Sequence, residues 1–106
     1  MTPQGNPAPV FAALSDPTRL ALLLKLSDGR ARSIATLSAD THLTRQAVTK
    51  HLHVLEKAGL VGSVRVGRES RFACQPEPIA TARSYLDTVS RQWDDALGRL
   101  QALVER

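Results

Sequence analysis

Aromatic side chains are scarce in this chain: one Trp, one Tyr and two Phe, or 4% of 106 residues. The core must therefore be built mostly from Leu, Val and Ala, as in helical proteins. Cysteine occurs once, at Cys74, which excludes an internal disulfide and suits a reducing cytoplasm. No apolar run approaches the roughly 20 residues of a membrane span. Met1–Pro7 lacks the basic start and apolar block of a secretory signal and reads as a disordered lead-in. The expected location is the cytoplasm. Also missing are a Ser/His/Asp constellation and a phosphate-cradling glycine loop. His51 and His53 stand two apart on a predicted helix, so their side chains diverge by about 200° and cannot share an ion. Neither catalysis, a cofactor nor a metal is expected.

What is present is basic and unevenly spread. The net charge is +4, with 42% hydrophobic and 23% charged residues, ordinary for one globular domain. Residues 1–75 hold ten Lys/Arg against five Asp/Glu, whereas residues 76–106 hold four against five. A cationic body joined to a near-neutral tail suits a polyanion-binding part followed by an association part.

The pattern predicts mostly α structure with a small β-hairpin. Ala8–Leu14 forms a short apolar helix. Asp16-Pro17, an N-cap with a first-turn proline, opens a second helix to about Ser27 with Leu20, Leu23 and Leu24 as its stripe. Ser33 caps a brief helix with Ile34, Ala35 and Leu37. Thr44 then caps a helix over 44–58, in which Val48, Leu52 and Leu55 share the dry face and Gly59 supplies the left-handed stop. Residues 60–75 read as two strands joined at Gly67-Arg68-Glu69, and Pro76 and Pro78 open the last helix.

Two surfaces stand out. On the 44–58 helix, Thr44, Arg45, Gln46, Thr49, Lys50 and His53 lie opposite the dry stripe. Arg pairs bidentately with guanine and Gln with adenine, so a helix N-terminus carrying both is suited to the major groove of double-stranded DNA. Arg65, Arg68 and Arg71 on the hairpin can contact phosphate. On the last helix, Ile79, Leu86, Trp93 and Leu100 recur seven apart, with Ala82, Val89, Ala96 and Leu103 three later. This a/d seam lies on a helix about 39 Å long, too long for one small domain to cover, so a second copy of the chain is the expected partner. The domain order is thus a lead-in over 1–7, a winged helix-turn-helix DNA-binding domain over 8–75, and a dimerisation helix over 76–106.

The stretch "ALSDPTRL" and the block "LTRQAVTKHLHVLEKAGLV" resemble the ArsR/SmtB family of bacterial winged helix-turn-helix repressors. The similarity extends through the wing. It implies a homodimer joined through the first and last helices, with Val10 and Leu14 beside Leu86, Val89, Trp93, Ala96, Leu100 and Leu103. It further implies an inverted-repeat operator, with transcription repressed until a signal intervenes. Many family members sense metals through a Cys-x-Cys before the turn or through last-helix ligands. Here residues 33–43 contain no Cys, and residues 76–106 contain neither Cys nor His. The segment "RQWDDALGRLQALV" instead resembles a metal-independent branch. No inducing ligand is legible. Two other readings stay open: a winged-helix module that binds protein, and a redox trigger at Cys74 if Arg71 lowers its pKa.

Overall fold

The computed structural model describes residues 6–105. In order, it contains α1 (Ala8–Leu14), α2 (Pro17–Lys25), β1 (Arg32–Ser33), α3 (Ile34–Thr41), α4 (Arg45–Lys57), β2 (Val61–Val66), β3 (Glu69–Cys74) and α5 (Pro76–Val104). This is a mostly helical winged helix-turn-helix with a long C-terminal helix. Residues 1–5 of the expected lead-in lie outside the described residues, whereas Pro7 is buried and precedes α1.

Local chemistry explains most boundaries. Asp16 Oδ1 accepts from the N–H groups of Thr18 and Arg19, with Pro17 beginning α2. Ser33 Oγ accepts from Thr36 N and caps α3. Thr44 Oγ1 accepts from Ala47 N at 3.1 Å and caps α4. The other end of α4 closes through Gly59, at φ +77, where the Gly59 N–H reaches Glu56 O and Leu60 N reaches Leu55 O. That pair of bonds is a Schellman motif, and its customary apolar contact is supplied by Leu55 and Leu60, both fully buried.

The stripe Val48, Leu52 and Leu55 is buried as expected, at the centre of a core with Leu22, Leu23, Leu26, Leu37, Leu60, Val61 and Phe72. Two readings are corrected. In α2 the buried leucines are Leu22 and Leu23, joined by the C-cap Leu26, while Leu20 and Leu24 are 41% and 64% exposed. A helix with leucine at five of seven positions from 20 to 26 has no decisive phase of its own. Its phase is set by packing of Leu22, Leu23 and Leu26 into the shared core, and Arg19 ties it to α1, its Nε donating to Ala13 O at 2.6 Å and Nη2 to Ala12 O at 3.3 Å. Nor is the sheet a simple hairpin. It has three antiparallel strands in the order β1-β3-β2, with Arg32 opposite Phe72 and Ser33 opposite Arg71. A two-residue strand leaves no alternation for a sequence pattern to register. Finally, α5 starts at Pro76, three residues before the first seam position, because prolines fit a first helical turn where N–H groups have no partner anyway.

Candidate nucleic-acid interface

The exposed side of α4 presents Arg45, Gln46, Lys50 and His53 to solvent, with Thr49 half-buried among them. Arg45, Gln46, Thr49 and Lys50 line one shallow depression. Arg45 and Thr49 also line a second, walled by the start of α3 (Ser33–Ala35) and by Arg68–Ser70 at the tip of the wing. The two share residues and form a continuous trough from the N-terminal half of α4 to the β2–β3 turn. Among the described residues, Arg45, Lys50, Arg65 and Arg68 enter no ion pair, whereas Arg19, Arg32 and Arg71 each do. Within the trough, Arg45, Lys50 and Arg68 are thus cations outside any ion pair among those residues, and Glu69 is the acidic side chain beside them.

Not every expected residue is equally available. The Thr44 hydroxyl is the α4 cap, although its own hydrogen remains free to donate outward. The Thr49 hydroxyl donates to Arg45 O at 2.7 Å, which leaves it only as an acceptor. A phosphate needs donors, so Thr49 in this rotamer suits a base amino group instead.

The wing separates its three arginines. Register pairs Arg65 with Ser70 and Ser63 with Phe72, so Arg65 shares the face that carries buried Phe72. Arg71 and Glu69, opposite Val64 and Val66, occupy the other face. Arg68 sits in the turn after Gly67, which holds φ +62. Arg71 donates through Nε at 3.1 Å and Nη2 at 3.0 Å to Glu69 Oε1.

Sequence reasoning missed the start of α3 and Ser70 as walls of the trough. The pairing of β1 with β3 is what draws them there. His51 is half-buried, in keeping with a packing role. Burial pushes the Cys74 thiol up, opposite to the direction a redox trigger needs, and Arg71 is turned to Glu69. Cys74 packs against the core. Among the described residues, no three His, Cys, Asp or Glu side chains gather at metal-binding range.

The apolar stripe of α5, expected to meet a second copy, is long and bare. Leu86, Trp93, Leu100 and Leu103 on α5 are exposed, Trp93 by 64%, and Val89 and Ala96 are half-buried. Tyr85, Leu97 and Val104, which an a/d reading omits, widen the stripe. Val10, expected at this interface, is instead 6% exposed inside its own core, and Leu14 packs against that core. The inward position of Val10 leaves it no surface for a partner, whereas Leu14 is half-buried. α1 does touch α5, with the Phe11 and Tyr85 rings 6.3 Å apart and tilted by 58°.

Comparison with known proteins agrees with this geometry. A helix-turn-helix domain family matches residues 14–64. The uncharacterized HTH-type transcriptional regulator YuzN of Bacillus subtilis is 40% identical over 81 residues, spanning 71% of this chain and 88% of the relative. An ArsR-like transcriptional regulator from Rhodococcus sp. RHA1 superposes with a TM-score of 0.78 at 39% identity, covering 92% of this chain and 91% of that one. A homodimeric winged helix-turn-helix DNA-binding domain from Mycobacterium bovis superposes with a TM-score of 0.64 at 25% identity, covering 80% and 78%.

Proposed function

The chain belongs to the ArsR family of helix-turn-helix transcriptional regulators, and from that premise we propose that it is a homodimeric repressor binding an inverted-repeat operator in the cytoplasm. The observation that carries this reading is the trough. Arg45 is common to the α4 face and to the wing-side depression, so one side chain stands where a base edge and the adjoining backbone are both within reach. Residues Arg45 and Gln46 read bases, with Thr49 accepting from an exocyclic amino group. Lys50, His53, Thr44, Arg65 and Arg68 hold phosphate and set register. Two such heads related by a dyad, tied through α5, address half-sites about 34 Å apart. The homodimeric relative supports the dyad.

Cations without internal partners favour a polyanion over a protein ligand for this face. The test is titration of fluorescent duplexes, selected from a random pool, at several salt concentrations. Arg45→Ala relaxes sequence preference at one position, at a cost of about 1–3 kcal/mol. Arg68→Ala weakens all duplexes alike and lowers the slope of log affinity against log salt by about one. An Arg45→Ala protein that kept its full preference among duplexes would remove α4 from the major groove.

A further inference from the structure

We propose that Glu69 is a built-in brake on DNA affinity and that Arg71 is a positioning residue which acts by neutralising it, not by touching phosphate. The proposal rests on the DNA-binding reading above and changes the role of one residue within it. Glu69 lines the same depression as Arg45 and Arg68, and is the one acidic residue in a lining otherwise made of those two arginines and neutral side chains. A phosphate drawn to those arginines comes within a Debye length, about 10 Å, of this carboxylate and is repelled by it. Two residues along β3, on the same face, Arg71 directs both Nε and Nη2 onto one carboxylate oxygen. The guanidinium therefore points along the wing, on the face opposite Arg65.

The pair is half-exposed on both sides, 43% for Arg71 and 50% for Glu69. Such a pair adds little to folding stability, so its substitutions alter the local field while leaving the fold in place. That field is independent of base sequence, so it scales specific and random duplexes together. The wing's own phosphate contacts then reduce to Arg65 and Arg68.

The experiment compares the parent chain with Glu69→Gln, Arg71→Ala and the double variant, each titrated with a random-sequence duplex and a pool-selected duplex at two salt concentrations. Glu69→Gln is expected to tighten both duplexes by about threefold or more at low salt, with the effect shrinking at high salt. Arg71→Ala weakens both by a similar factor. In the double variant, affinity and salt slope return to those of the parent. Two results overturn the proposal while leaving the DNA reading intact. One is a Glu69→Gln protein that binds as the parent does. The other is an Arg71→Ala loss that Glu69→Gln fails to rescue, with the salt slope down by about one, the signature of a direct phosphate contact. A parent chain that binds neither duplex overturns the DNA reading and this proposal together.

Discussion

Single side chains in this protein are most informative where they hold backbone ends. Asp28 accepts from Arg32 and from the Arg30 N–H across the turn after α2, and Arg32 holds its carboxyl well below the ordinary 3.8. Asp16 is lowered as well, first by the Arg19 N–H and then by that of Thr18, against some desolvation. A carboxyl with a depressed folded-state pKa stabilises the fold above its unfolded value, and that contribution is lost as pH falls through the folded one. The destabilisation caused by Asp28→Asn is thus expected to be largest near neutrality and to vanish in strong acid. Urea unfolding across a pH series below 4 checks it. His42 is a different case. It ends α3 at φ +59, a left-handed conformation that costs a Cβ-bearing residue about 1–2 kcal/mol. His42→Gly relieves that cost and gives back part of it as unfolded-chain entropy. A net gain of about 0.5–1 kcal/mol in chemical denaturation is expected, with DNA affinity unchanged.

Among the elements, α4 is the one most legible in the sequence. Its Thr44 cap, its Val48/Leu52/Leu55 stripe and its Gly59 stop are local signals within one helix, and all agree. The phase of α2 is not legible, because crowded leucines fit more than one rotation. What settles it is the shared core that takes Leu22, Leu23 and Leu26, with Arg19 reaching back to the carbonyls of Ala12 and Ala13 and lying 3.9 Å from Asp16. This side chain closes the C-terminus of α1 with a charged donor and joins α1 to α2. Arg19→Ala leaves Ala13 O short of a partner, while Ala12 O keeps the donors of Ser15, at a cost of about 1–3 kcal/mol. Because α1 carries Phe11 against Tyr85 of α5, the same variant is expected to speed amide exchange at the base of α5 as well as in α1. Unchanged exchange in α5 would separate the two helices energetically. The wing shows the converse limit. Arg65 and Arg71 look equivalent in sequence, and only strand register puts them on opposite faces.

The whole molecule is stretched by α5. Its radius of gyration is 18.3 Å with extents of 68 × 33 × 21 Å, against about 13 Å for a compact domain of this length. Of the 29 residues in α5, Ala82 is the buried one, and the remaining apolar stripe faces outward. Exposed apolar area of this extent marks an interface, and in the proposed homodimer an identical stripe covers it. Trp93→Asp or Leu86→Asp places a charge in that seam and is expected to give monomers by sedimentation, with operator affinity falling by a factor of about 100 or more as the two heads lose their tether. A Trp93→Asp dimer of undiminished stability would move the interface off α5.

Sequence alone determined the elements, their caps, the dry and wet sides of α4 and the heptad spacing of α5, because each depends on residues within a few turns of one another. It also determined the family, since the helix-turn-helix block is one continuous stretch. Tertiary structure decided whatever needed two distant segments at once. It paired Arg32–Ser33 with β3 and so brought α3 to the trough, and it turned Val10 inward. It also set Arg71 on Glu69, through a pleat whose register no single strand contains.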